Sequence, residues 1–135
     1  MRPTIGKLLL SGAALITAVA PVVNDWNDTH IFSPQWAPHA RFHGAVSVGM
    51  TLMLSPLALW LTWHRSADRS ATLATAALVP VAYWAPFFAA LLVPGARFED
   101  PEHPLPRGVL GLPPNLAGAG ATVLTALAGW ALARP

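Results

Sequence analysis

Apolar residues fall along the chain in four long runs, at about residues 5–23, 42–63, 71–93 and 115–133, none with Asp, Glu, Lys or Arg in its middle. A helix of roughly 17–25 residues is what crosses about 30 Å of hydrocarbon, so each run has the length of a membrane span. Unpaired backbone groups are costly in lipid, and the runs lack the two-residue alternation of barrel strands, so helices are the expected form. The pattern predicts an all-α, four-transmembrane-helix bundle in which residues 1–135 form a single integral membrane domain. Two long polar loops, about residues 24–41 and 94–114, fall on one side of that bundle, and a short connection falls on the other. Pro56 in the second run and Pro80 and Pro86 in the third are expected to kink their helices.

Charge orients the bundle. With four spans both termini share a side, and that side carries Arg2, Lys7, Arg65, Arg69 and Arg134 against Arg41, Arg97 and Arg107 opposite. The positive-inside rule then puts the N and C termini in the cytoplasm and the long loops outside. The first run also resembles a secretory signal, since Arg2 and Lys7 precede it and Ala18-Val19-Ala20 has the small-x-small form of a cleavage site. Pro21 would follow the cut and hinder it, so residues 1–20 are expected to stay as an uncleaved helix. Seven arginines to one lysine suggest a bacterial source, and the expected location is a cell membrane, as a multi-pass protein of the bacterial inner membrane.

Composition narrows the function classes. Hydrophobic residues make up 54% and charged residues only 10%, whereas soluble domains carry about 25% charged residues. The high isoelectric point rests on a net charge of only +2, spread singly at the edges of the apolar runs, which excludes a nucleic-acid footprint. Cysteine is absent, so disulfides, thiolate ligands and thiol nucleophiles are excluded. No P-loop, G-x-G-x-x-G or nucleophile-elbow motif occurs, so nucleotide binding has no support. The expected partners are the lipid bilayer, a lipophilic small molecule and a second copy of the chain. Gly118, Ala121, Thr122 and Thr125 give the fourth run the small-residue spacing that lets helices approach closely, within the bundle or in a homo-oligomer.

The chemistry gathers on one stretch. HIFSPQWAPHARFHG, residues 30–44, holds three of the five histidines. Pro38 suits a first helical turn, so His39 and His43, four apart, should share a face, which Ser47 continues. Zinc helices use this spacing, and the pair is a candidate for a divalent metal such as zinc or iron. His30 is the first candidate for a third ligand, with Asp25, Asp28, Glu99 and His103 as others. The alternatives for the pair are acid–base use without metal, or plain hydrogen bonding at the membrane interface. Asp25 is the candidate acid, while Asp28 or Thr29 caps a turn. His39 or His43 is the candidate base, and His30 a second base. Trp26 and Trp36 are expected to wall the site, Arg41 to hold an anionic group, and Asn115 to cap the fourth helix or orient a ligand. Tyr83 and Trp84 are expected to pack toward lipid, and the Glu99–Pro104 loop to hang over the same mouth.

The run Asp25-Trp26-Asn27-Asp28-Thr29-His30-Ile31-Phe32, with Pro34, Trp36 and Pro38-His39-Ala40-Arg41-Phe42-His43, resembles the signature D-W-N-x-T-H-I-F-x-P-x-W-x-P-H-A-x-F-H of a small four-helix integral-membrane family of unknown function. The resemblance implies four spans and a motif that acts as a unit, and it implies no catalytic assignment. Two functional readings follow. One is an enzyme that uses acid–base or metal-assisted chemistry on a lipophilic substrate at the outer mouth. The other is a non-catalytic accessory or small-molecule-binding subunit of a membrane complex.

Overall fold

In a computed structural model of the chain, which describes residues 1–99, 104–108 and 111–134, every apolar run is helical and no strand occurs among the described residues. The elements are α1 (Arg2–Asp25), α2 (Pro38–Trp63), α3 (Arg69–Trp84), the short α4 (Pro86–Ala89) with a 3-10 turn at Ala90–Leu92, and α5 (Pro114–Ala133). Helix α3, α4 and the 3-10 turn follow one another over Arg69–Leu92, and counted together they make one of four stretches long and apolar enough to cross a bilayer. The helices run past the apolar residues at their ends. Helix α2 starts at Pro38, whose fixed φ suits the first turn and whose missing N–H would have had no helical partner. Asp68 caps α3 by accepting from the Ala71 N–H at 2.9 Å. The end of α2 is closed from outside: the Arg69 guanidinium donates to the carbonyls of Leu61, Thr62 and His64, oxygens that the helix itself leaves unpaired. Pro21, Pro56 and Pro80 all lie within helices that continue through them, and only Pro86 coincides with a break.

Each helix packs antiparallel to its neighbours. Helix α1 lies against α2 and α5, α3 closes the ring against the same two, and α1 meets α3 across the diagonal. The start of α1 meets the end of α5 at Gly6 and Ala133 and the end of α2 at Trp63, whose indole N–H donates to Ser11 Oγ at 2.9 Å. Both termini therefore lie at one end of the bundle.

Residue size is distributed inside out relative to a soluble bundle. The interior holds Ala13, Ala14 and Thr17 of α1, Thr51, Ser55 and Ala58 of α2, Ala76 and Ala77 of α3, and Ala119, Thr122 and Ala126 of α5, while Leu8, Leu15, Met50, Met53, Leu78 and Leu124 face outward. When the surroundings are as apolar as leucine, burying leucine gains little, and helices associate through close packing of small side chains. The closest approach is at Gly6 and Gly129. A Cβ on Gly6 would sit 2.4 Å from the Ala133 nitrogen, and one on Gly129 would sit 2.9 Å from the Gly6 carbonyl oxygen. The inner stripe of α5 is thus Leu116, Ala119, Thr122, Ala126, Gly129 and Ala133. Of the small residues singled out in the sequence, Thr122 belongs to this stripe, whereas Gly118 and Ala121 are exposed, and the helix the stripe meets is α1 of the same chain.

A cluster of Leu10, Leu73, Ala77 and Ala133, with Trp130 against it, fills the end of the bundle that holds the termini. Toward the opposite end the buried Trp84 indole N–H donates to Thr17 Oγ at 2.9 Å while the Thr17 hydroxyl donates to the Ala13 carbonyl at 2.8 Å. Beyond that link the helices and the second loop flank a half-open cavity.

Candidate functional site

The cavity has a volume of about 830 Å³ and lies between the end of α1, the α3–α4 junction, the start of α5 and the second long loop. Its floor is apolar, with Ile16, Ala20, Pro21 and Gly118, and rings of Trp36, Tyr83, Trp84, Phe87 and Phe98 form its walls. Asp25, His30, Arg97, Glu99, Asn24, Asn27 and Asn115 supply its polar groups.

The turn that brings Asp25 and His30 together is organised by Asn27. Its side-chain amide donates to the Asn24 carbonyl at 2.7 Å and the Val23 carbonyl at 3.3 Å, which satisfies oxygens left free at the end of α1. Its Oδ1 accepts from the Thr29 N–H at 2.9 Å and from the Thr29 hydroxyl at 2.7 Å. The same hydroxyl lies 2.9 Å from His30 Nδ1. A threonine hydroxyl has one proton, and Oδ1 can only accept, so that proton goes to Asn27. His30 must then donate from Nδ1, and in the neutral ring Nε2 is left as a free acceptor. Asn27 and Thr29 together fix the tautomer of His30. The ring also packs edge-on against Trp36, with centroids 5.8 Å apart.

Asp25 closes α1, and its backbone carbonyl accepts from the Ile31 N–H at 3.1 Å. Its carboxylate is half-buried, lines the cavity and accepts no hydrogen bond from a described residue, with His30 as its electrostatic neighbour. Tyr83, whose hydroxyl lies near Ser47 of α2, is also within the field of Asp25. Tyr83 and Trp84 are edge-on at 4.9 Å and line the cavity, which corrects the expectation that they pack toward lipid. Trp84 is drawn inward because its indole N–H finds Thr17, a partner that lipid does not offer.

Of the second loop, Arg97, Phe98, Glu99, Pro104 and Leu105 line the cavity, and residues 100–103 of the expected loop lie outside the described residues. The Glu99 carboxylate accepts from the Leu105 N–H at 2.8 Å and from Arg107 at 2.7 Å, while Arg107 lies over the Phe98 ring. Those two bonds hold the Glu99 carboxyl below the usual glutamate range, the backbone bond from Leu105 first and then Arg107. Asn115 donates to the Phe98 carbonyl at 2.6 Å and accepts from the Leu116 N–H at 2.8 Å. It therefore serves the first turn of α5 and anchors the loop, and it also lines the cavity. His103 lies outside the described residues.

Four of the expected site residues converge on the cavity: Asp25, His30, Trp36 and Asn115. Trp26, Arg41, His39 and His43 do not line it. Trp26 is half-exposed and packs edge-on against Phe32 at 5.6 Å. Arg41 donates to the Ser33 carbonyl at 2.7 Å and pins the first loop to α2, where Ile31 and Trp36 sit against Gly44. His39 and His43 share a face as expected, with Nε2 atoms 3.0 Å apart, but both are exposed. Helical phase explains this. The buried stripe of α2 is Val48, Thr51, Ser55, Ala58 and Thr62, and His39, nine residues or two and a half turns before Val48, points the opposite way. Among the described residues no three histidine or carboxylate side chains gather where they could hold a metal ion. Asp28 is exposed, because the chain leaves the helical path at Trp26 (φ −87°, ψ 57°), and so it shares no face with Asp25.

The sequence reading missed the turn-building role of Asn27 and the contribution of Arg97 to the cavity mouth. An Asn immediately past a helix end, two residues before a Thr, carries the signal of a side-chain-built turn. Arg97 carries no comparable signal.

No curated protein and no solved structure matches the chain. A family model matches it over most of its length, at residues 9–132, and the chain belongs to that family, the DUF6640 family of unknown function.

Proposed function

We propose that this chain is a multi-pass membrane protein of the bacterial inner membrane that takes a lipophilic small molecule into the cavity and carries out acid–base chemistry on it. The carrying observation is the convergence of the Asp25 carboxylate and the tautomer-fixed His30 on one aromatic-walled cavity. His30 presents Nε2 as the base that takes a proton from the substrate and returns it, and the neighbouring Asp25 carboxylate stabilises the imidazolium formed in between. Large apolar residues cover the outside of every span, which supports a position in the bilayer and a route for the ligand out of lipid.

Gly118 gives the experiment its handle. It lines the cavity, and a Cβ there meets nothing within 4 Å, so Gly118→Phe fills the space without touching the helix contacts. Mass spectrometry of small molecules that co-purify with the detergent-extracted protein should find a bound molecule in wild type and in the His39→Gln/His43→Gln double variant, and none in Gly118→Phe. Asp25→Asn and His30→Gln should hold only the substrate form, with the product form confined to wild type. Equal retention by Gly118→Phe would remove the cavity as the site.

The second reading, a non-catalytic accessory subunit, has one specific support: Trp26 and Phe32 form an exposed aromatic pair on the first loop. It requires a larger complex that dissociates when both are changed to serine.

A further inference from the structure

We propose that the ligand of this cavity is an amphipathic amine, bound as an N–H-bearing ammonium with its head between Asp25 and His30 and its apolar body against Trp36, Trp84 and Phe87. This rests on the reading of the cavity as a ligand site and names the class of ligand. It follows from which polar groups of the cavity are already engaged. Glu99 is occupied by the Leu105 N–H and Arg107. Asn27 has its amide and its oxygen committed to the turn, and Asn115 has both atoms committed to Phe98 and Leu116. Arg97 is exposed at the mouth, where water solvates it.

Asn24 is likewise exposed at the rim, and the two acid–base groups left over, Asp25 and His30, are both acceptors. The half-buried Asp25 carboxylate has no hydrogen-bond donor among the described residues, and the Thr29 contact leaves His30 Nε2 as a lone pair. Asp25 also stands at the C-terminal end of α1, where the aligned peptide dipoles add negative potential. Aromatic rings present their electron-rich faces to cations, and this cavity has five ring-bearing residues in its walls. An anion would have to sit beside the carboxylate. A neutral alcohol has one proton for two acceptors. A quaternary ammonium satisfies the charge but has no proton to donate. A protonated amine meets every one of these demands.

The test uses ligands with one apolar body and different heads: 1-adamantanemethylamine, its N,N,N-trimethyl derivative, 1-adamantanemethanol and 1-adamantanecarboxylate. Binding to the full chain in detergent micelles is read by tryptophan fluorescence, since Trp36 and Trp84 lie in the wall, and by the shift in thermal unfolding. The amine should bind at least about tenfold more tightly than the alcohol and the trimethyl derivative. Asp25→Asn, checked for unchanged elution and helix content, should erase that lead while alcohol binding persists. A carboxylate that binds as tightly as the amine, or an amine lead that survives Asp25→Asn, overturns the ligand class and leaves the cavity reading standing. If no analogue binds saturably to wild type, or if Gly118→Phe binds them all unchanged, the cavity reading falls and the ligand class with it.

Discussion

Thr17 carries two hydrogen bonds with a single hydroxyl: it accepts from the buried Trp84 indole and donates to the Ala13 carbonyl. Replacing it with valine keeps the shape and leaves the indole N–H without a partner, which costs about 1–3 kcal/mol for a buried donor. Thr17→Val should therefore lower the thermal midpoint of the detergent-solubilised protein and shift the fluorescence of Trp84. Thr17→Ser, which keeps the hydroxyl, should recover most of the loss. The same single-proton logic governs Thr29 and His30, where a neighbour two residues away sets which ring nitrogen is free. Nothing in residue type alone announces this. A histidine in the sequence is a candidate for several roles, and only its hydrogen-bond partner selects among them.

Elements carry the next set of consequences. The crossing of α1 and α5 leaves no room for a side chain at Gly6 or Gly129. Gly129→Ala must push backbone against backbone, and over-packing of this kind costs about 1–3 kcal/mol. Gly12→Ala is the matched control, because its Cβ would meet nothing within 4 Å. Folded yield should fall for the first and hold for the second. The second loop responds to acid. The Glu99 carboxyl is held below its ordinary value of 4.5 by the Leu105 N–H and Arg107, so the ionised form belongs to the folded loop. That contribution is complete above the ordinary value and is lost as pH falls through the lower, folded value. Hydrogen exchange at the Leu105 amide should therefore stay slow at neutral pH, after correction for intrinsic rate, and lose protection in acid. Glu99→Gln should abolish the pH dependence.

For the whole molecule, both termini and the turn at residues 64–68 lie at one end of the bundle and the cavity at the other. The absence of cysteine allows a direct test of orientation. Single cysteines at Ala67 and Arg134 should react with a membrane-impermeant maleimide only from the cytoplasmic side, and at Asp28 and Gly95 only from outside, in the sense set by Arg2, Arg65 and Arg69. The reverse pattern would place the cavity on the cytoplasmic face. The number of long apolar helices and their approximate ends were legible in the chain, because uninterrupted apolar runs of membrane-crossing length read as helices. Helix α2 begins at Pro38 rather than at Phe42, where the apolar run starts, because a helix ends where its backbone bonds can be satisfied. The DWNDTH segment was legible as a place where polar chemistry gathers at a helix end, and Asp25, His30 and Trp36 do reach the cavity.

Helix phase was harder to read, because a span apolar on every side gives no strong face. The available signal was the stripe of small residues, Gly44, Val48, Thr51, Ser55, Ala58 and Thr62, which turns His39 to the outside. The sequence by itself determined the helical class, the lengths of the apolar helices and the local turn at Asn27, since each depends on near neighbours along the chain. Tertiary structure alone decided that Trp84 and Tyr83 turn inward, that Phe98 and Asn115 meet beside the cavity and that His39 and His43 stand apart from it. Those outcomes depend on contacts between residues far apart in the chain, such as Trp84 with Thr17 and Asn115 with Phe98.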